Sequence, residues 1–272
     1  MPQPGFDLDS PFPVSPAQVA FYRENGFLKL KQVLAPELLA HYGAEITRQV
    51  QRLNPQTQPL EQRSMYDRAF LQVMNLWRQS AAVKEFVLGR RLAQIAATLM
   101  GVNGVRLYHD QALYKEPGGG VTPWHADQYY WPVASDKTCT AWVPLQPTPL
   151  DMGPLAFCPK SQTLTYGRDL EIGEESEIKL QQALAGYGLE ESAFDLGEVS
   201  FHSGWTFHRA GVNKSSQARA VMTIIYMDAE MRLATPKNPN QVNDHQTWCP
   251  GAVPGEVIAT PLNPVVYDRG GG

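Results

Sequence analysis

VRLYHDQALYKEPGGGVTPWHADQYYW, residues 105–131, is the stretch whose reading decides the fold. It opens on a run rich in β-branched and aromatic residues, breaks at Glu116-Pro117-Gly118-Gly119-Gly120, and resumes in a short run through Trp124-His125-Ala126-Asp127. Short β-forming runs bounded by Gly and Pro read as strands. The same punctuation continues downstream in TCTAWVPL (138–145), GPLAFCP (153–159), GEVSFHS (197–203), WTFHRA (205–210) and ARAVMTIIYMD (218–228). PTPLDMG (147–153) and GVNKSS (211–216) read as the turns between them. Many short strands with such turns imply an all-β sandwich or barrel over 105–228.

Upstream the pattern is helical. Ser15 can cap a helix with Pro16 in its first turn, Gln18 at the capping-box position and Gly26 as the stop. Pro36 opens a second helix through Leu53, whose Leu38, Leu39, Tyr42, Ile46 and Val50 recur at helical spacing. Residues 54–59 form a loop, and 81–88 and 91–100 read as two further helices closed by Gly101. A charged segment, 170–193, interrupts the strands as a loop with a short helix. The tail, 229–272, is rich in Pro and Asn with weak periodicity; it is either an ordered flap over the β core or partly disordered. The expected organisation is one domain over 1–272: a helical part (1–104), a β core (105–228) and the tail or flap (229–272).

A net charge of −4 and a pI near 5.9 offer no general attraction to nucleic acid or anionic membrane, so neither is an expected partner. No apolar run approaches the roughly 20 residues of a spanning helix. MPQPGFDLDSPFPVS lacks the basic and apolar regions of a secretion signal. Cys139, Cys158 and Cys249 are odd in number and lack metal-type spacing, which suits reduced thiols in a cytoplasmic protein.

Strand side chains alternate faces, so His125 and Asp127 point the same way and can reach one metal ion. His208, late in the β region, offers a third ligand. Two His and one carboxylate on one octahedral face form the facial triad of non-haem iron(II) oxygenases, with open positions opposite. His-x-Asp alone is weak, because a lone His is more often structural. Arg219 strengthens it. If GVNKSS is a hairpin loop, its midpoint between Asn213 and Lys214 lies equidistant from 208 and 219, making them cross-strand partners about 5 Å apart. A buried Arg needs an anion, and Arg grips carboxylates through paired hydrogen bonds. The anion is either the far carboxylate of an iron-chelating dicarboxylate or a protein acid such as Asp127 or Asp228. Gly118, Gly119 and Gly120 are not a phosphate loop, since no Gly-Lys-Ser/Thr follows. They let the backbone turn sharply beside the site.

Four ordered motifs carry a family resemblance: FYRENGFLKLKQVLAPELL (21–39), YKEPGGGVTPWHAD (114–127), TAWVPLQPTPLDMGPLAFCPKSQ (140–162) and HRAGVNKSSQAR (208–219). In these the chain resembles the phytanoyl-CoA dioxygenase family, which includes ectoine hydroxylase and many bacterial members. The resemblance implies a mainly β, double-stranded β-helix (jelly-roll, cupin-like) fold with N-terminal helices, using Fe(II), 2-oxoglutarate and O2. It implies iron ligands at His125, Asp127 and His208, a cosubstrate anchor at Arg219, and cosubstrate contacts from Trp142 and Gln111. Gln162 stands where relatives commonly have His, and Ala210 where some have a hydroxyl residue. Related halogenases replace the carboxylate by a small residue; Asp127 is present here, so the resemblance implies C–H hydroxylation, with 2-oxoglutarate becoming succinate and CO2. Desaturation, epimerisation and cyclisation share the same chemistry.

Trp124, Tyr129, Tyr130 and Trp131 crowd around the His-x-Asp, and Tyr108, Tyr114 and Arg106 lie on the neighbouring strand. They read either as packing or as a substrate wall. Arg106, Lys115 and Arg209 are candidate anion contacts, each more often a solvated charge; Arg209 faces away from His208 by alternation. With no basic run for a CoA moiety, a small or mid-sized metabolite is the expected substrate. His202 and His109 read as structural or supporting residues, and His41 and His245 as surface ones. Two other readings compete: a cupin-like metabolite-binding protein without redox chemistry, and a metal-dependent isomerase on the same fold.

Overall fold

The computed structural model describes residues 6–270, so residues 1–5 of the stretch read as not a secretion signal lie outside the described residues. In chain order the elements are α1 (Pro16–Asn25), β1 (Phe27–Leu30), α2 (Pro36–Leu53), α3 (Met65–Ala69), β2 (Leu71–Met74), α4 (Ala81–Val87), α5 (Arg90–Met100) and β3 (Gly104–Lys115). There follow β4 (Thr122–His125), β5 (Thr138–Pro144), β6 (Leu155–Phe157), α6 (Glu174–Leu184), β7 (Glu190–Glu191), β8 (Val199–Ser203), β9 (His208–Ala210), β10 (Arg219–Asp228), α7 (Pro239–Trp248) and β11 (Val265–Asp268).

The capping box forms as expected: Gln18 N–H donates to Ser15 Oγ at 3.2 Å and Ser15 N–H to Gln18 Oε1 at 2.8 Å. Gly26 ends α1 at φ +82°, where a Cβ would meet Thr206 Oγ1 at 2.4 Å. The apolar stripe of α2 is buried with α4 and α5 against one face of a seven-stranded sheet, ordered β1-β8-β5-β10-β3-β11 with β2 also on β3. Leu38, Leu39 and Ile46 thus share a core with Val105, Ala141, Met222 and Ile224. Burying each such Leu, Ile, Val or Met side chain contributes about 1.5–3 kcal/mol. A second sheet, β4-β9-β6-β7, closes over the other face, giving the double-stranded β-helix. Phe27 and Phe157 stack at 4.5 Å, and with Trp142 and Val221 they form an apolar cluster that joins the two sheets.

One expectation fails here. GVNKSS is not a hairpin loop. β9 pairs with β4 and β6, whereas β10 pairs with β3 and β5, so His208 and Arg219 sit on opposite sheets and are not cross-strand partners. Arg219 faces Lys115 instead. The loop crosses between sheets because Asn213 ties it to the glycine stretch: Asn213 Nδ2 donates to the Lys115 and Gln217 carbonyls, Gly118 N–H donates to Asn213 O, and Asn213 N–H to Gly119 O. WTFHRA is also shorter as a strand than expected, because Trp205–Phe207 turn after Ser203.

The open question about the tail resolves as order. Its helix α7 is N-capped by Asn238, β11 pairs with β3, and Ile258 N–H donates to Met231 O. Segment 170–193 holds α6, in line with the short helix expected there, and also β7, which was not expected. The three cysteines are buried and unpaired. Among the described residues no helix is long and apolar enough to cross a membrane.

Candidate metal centre

His125 ends β4, and Ala126 stays extended (φ −122°, ψ 127°) before Asp127 opens a single 3-10 turn. The alternation therefore survives past the strand end, and both side chains turn inward. His208, opening β9, is the direct register partner of His125, with ring centroids 4.2 Å apart. The ligand-capable atoms of His125, Asp127 and His208 all lie within 4.8 Å of one another. Asp127 Oδ1 stands 3.6 Å from Nε2 of each histidine. Ligands sharing one metal at bonds of about 2.1 Å sit about 3 Å apart, so a small side-chain closure brings these atoms to coordinating distance.

The backbone sets the tautomers. His125 Nδ1 lies 2.8 Å from Pro123 O and His208 Nδ1 2.9 Å from Thr206 O. A carbonyl can only accept, so each Nδ1 carries the proton and each Nε2 offers its lone pair to the centre. Burial pushes both imidazoles down to about 4, so they are neutral at neutral pH and their contacts with Asp127 are not ion pairs there. Burial alone would raise the Asp127 carboxyl, but His208, the hydrogen bond from His202 and His125 outweigh it and hold it well below the usual carboxylate range. Neutral imidazoles around an ionised carboxylate are the donor set a divalent cation takes.

A cavity of about 320 Å³ opens from this cluster between the sheets. Arg219 lines it from the opposite sheet, 2% exposed. Neither Asp127 nor Asp228 pairs with it. Its Nη1 donates to Gly153 O, its Nε has no partner, and its guanidinium lies 5.4 Å from the Trp142 ring. Burial lowers its pKa to about 9, still cationic at neutral pH. Trp142 and Gln111 also line the cavity, although Gln111 Oε1 is taken by Gln72 Nε2 at 2.6 Å.

Of the five aromatic residues considered as a substrate wall, Tyr130 and Trp131 line the cavity. The other three do not. Trp124 points away by the alternation that turns His125 inward, and packs with Phe207 and Leu180 beneath Arg209, whose guanidinium is 5.5 Å from its ring. Tyr129 faces α7, its hydroxyl accepting from Asn240 Nδ2 at 3.4 Å and its carbonyl from Gln241 Nε2 at 3.0 Å. Tyr108 is buried behind the wall against Trp131. Tyr114 and Arg106 are likewise structural, bonded to Thr47 Oγ1 and to the Ala229 and Asn263 carbonyls. Arg209 pairs with Glu177 at 3.1 Å on the outside. Lys115 is fully buried rather than solvated, with Nζ donating to Gly120 O and Thr122 Oγ1. His202 and His109 both line the cavity.

Sequence reasoning missed the outer wall. Tyr66 and Phe70, and Asn240, Asn243, Asp244 and Trp248 of α7, close the chamber. Asn238 before Pro239 is a helix-start signal that could have placed α7 in the tail. Ser64, with Asp67 three residues on, is likewise a helix-start signal that could have placed α3 and its Tyr66.

Similarity to solved structures follows the same lines. The carbocyclase SnoK from nogalamycin biosynthesis, described as non-haem and α-ketoglutarate dependent, superposes with a TM-score of 0.79 at 22% identity, covering 95% of this chain and 100% of that one. The epimerase SnoN, solved with Fe3+, α-ketoglutarate and nogalamycin RO, gives 0.76 at 23% identity over 92% and 98%. EctD from S. alaskensis, solved with 2-oxoglutarate and 5-hydroxyectoine, gives 0.68 at 18% identity over 92% and 89%. At these identities the likeness establishes the fold. No curated protein sequence matches the chain significantly. Residues 22–221 match the family described as Phytanoyl-CoA dioxygenase (PhyH), and with that span covering most of its length the chain belongs to the phytanoyl-CoA dioxygenase family.

Proposed function

We propose that the protein is an Fe(II)- and 2-oxoglutarate-dependent dioxygenase that hydroxylates a C–H bond of a small or mid-sized metabolite. Arg219 carries the reading: a guanidinium 2% exposed, without a carboxylate partner among the described residues, facing the chamber that holds His125, Asp127 and His208. An unpaired buried cation is costly, and the far carboxylate of a bound keto-diacid relieves that cost through charge-assisted hydrogen bonds. A plain metabolite-binding cupin needs no such cation.

His125, Asp127 and His208 would hold the iron on one face and leave the other open. When bound, iron supplies the dioxygen chemistry that converts substrate, O2 and 2-oxoglutarate into hydroxylated product, succinate and CO2. Trp142 braces the Arg219 guanidinium, and Gly153 O holds one of its nitrogens, so its direction is set before the diacid arrives. Asp127 occupies the place that a halide would need, which favours hydroxylation over halogenation. The C-terminal flap and the β core work as one domain in this reading, because α7 and β10 line one chamber. Buried, unpaired thiols suit a reducing cytoplasm.

The test is anaerobic addition of Fe(II) and 2-oxoglutarate. A weak visible charge-transfer band, and succinate formed slowly once air is admitted, are expected. Absence of both overturns the reading, and Asp127→Ala should abolish hydroxylation while the fold persists. Mass analysis of the product separates hydroxylation, which gains an oxygen atom, from ring closure or desaturation, which lose hydrogen, and from epimerisation, which changes no mass.

A further inference from the structure

The substrate side of the chamber has an uneven charge. Arg219 is the only Lys or Arg among the described residues lining it, and the proposed cosubstrate consumes that cation. Among the described residues lining the chamber, Asp244 is the only acid besides Asp127. Asp244 projects from α7, is 8% exposed, and has no Lys, Arg or His partner among the described residues. Its side-chain partners are neutral: the Tyr108 hydroxyl, donating to Oδ2 at 3.2 Å, and the Trp248 side chain. Two neutral donors offset only part of the cost of burying a carboxylate so deeply, and a cation would offset the rest. Burial accordingly raises it to about 7 in the absence of such a partner. The surfaces beside it are aromatic: Trp248 on the same helix, with Tyr130, Trp131 and Tyr66 around the chamber. Aromatic faces attract ammonium groups and stack on planar rings. Tyr66 lines the same chamber as Asp127 and Asp244.

We propose that this wall selects an amine-bearing substrate with a planar ring body, its ammonium paired with Asp244 of α7 and its ring held by Trp248, Tyr130 and Trp131. The proposal rests on the oxygenase reading for what happens at the metal, but not for the binding itself. A cavity of about 320 Å³ is at the low end for ligand sites, about 300–1,000 Å³. With the cosubstrate seated, one or two rings fill the remainder. An anionic substrate finds no cation left to receive it.

The test uses two matched probes, 2-(2-naphthyl)ethylamine and 2-(2-naphthyl)ethanol, titrated calorimetrically into the metal-free full chain. The amine is expected to bind at least about tenfold more tightly than the alcohol. In Asp244→Asn that preference should vanish while the alcohol binds as before. Equal affinity of the two probes in the native protein, a preference that survives Asp244→Asn, or no amine binding below about 10 mM overturns the proposal. The native comparison decides the matter even if the variant does not fold. Because neither iron nor 2-oxoglutarate is present, failure here is distinct from failure of the succinate assay.

Discussion

His202 Nε2 lies 3.2 Å from Asp127 Oδ2, whereas Asp127 Oδ1 stands 3.6 Å from Nε2 of both His125 and His208. The two oxygens of one carboxylate thus serve different partners. Thr140 Oγ1, 3.2 Å from Oδ2, adds a second tether on the His202 side. A carboxylate pinned through Oδ2 presents only Oδ1 to a metal, which keeps coordination places free for other ligands.

His202→Ala is therefore expected to weaken metal binding by about 10–100-fold, the usual effect of removing a group that orients a ligand, and Thr140→Val by less. Competition with a chelator measures it, with circular dichroism as the check on folding. Unchanged affinity in both variants would show that His202 serves only to pack against Phe157, whose ring centroid is 5.5 Å away.

Arg219→Ala is expected to raise the 2-oxoglutarate dissociation constant more than tenfold, since losing a charged hydrogen-bond partner costs at least about 1.4 kcal/mol. Arg219→Lys should recover little, because a lysine ammonium cannot bond a carboxylate bidentately. Calorimetry on the metal-loaded protein decides it. Affinity retained in both variants would remove Arg219 as the anchor.

The parts of this site that were legible in the sequence follow from one rule. Period-two alternation brings His125 and Asp127 together, and it survives because Ala126 stays extended. The same rule, applied to Trp124, turns that ring outward, and a wall residue was expected there only because aromatic residues cluster nearby in sequence. Arg219 was placed in the correct chamber by an incorrect route. A loop length tells a hairpin from a sheet-to-sheet crossover only when its pinning contacts are known, and those of Asn213 reach back to Lys115 and Gly118. Asp244 and Trp248 are marked only by the Asn238-Pro239 start of α7, because that helix is polar on most of its surface and buries Asp244 rather than an apolar stripe, so no periodicity announces it.

Gly153→Ala is expected to damage the anchor from a distance. Gly153 sits at φ +65°, and a Cβ there would meet Gly211 O at 2.3 Å, a backbone atom that cannot swing aside. Its carbonyl also accepts from Arg219 Nη1. A loss of stability greater than about 1 kcal/mol is expected for a side chain forced into that conformation. Weaker 2-oxoglutarate binding should accompany it while chelator competition shows metal affinity nearly intact. Denaturant unfolding and calorimetry measure the two effects separately. Metal and cosubstrate affinities that fall together would mean general damage rather than a displaced Arg219.

Lys115, opposite Arg219 in the β3–β10 register, gives the protein a defined pH response. Burial, and then the repulsion from Arg219, lower its pKa from 10.5 to about 6. The folded chain therefore holds this proton less readily than the unfolded chain. The stability contributed by the neutral amine is fully present above pH 10.5 and is lost as the pH falls through the folded-state value near 6. Between these limits the group makes stability rise with pH, by no more than about 1.4 kcal/mol per pH unit. Lys115→Met removes the titrating group while keeping the buried stem, so its stability should change less with pH than that of the native chain. Urea unfolding of both proteins at mildly acidic, neutral and mildly alkaline pH compares the slopes. Parallel profiles would mean that Lys115 remains protonated in its buried place, its charge carried by the Gly120 carbonyl and Thr122 Oγ1.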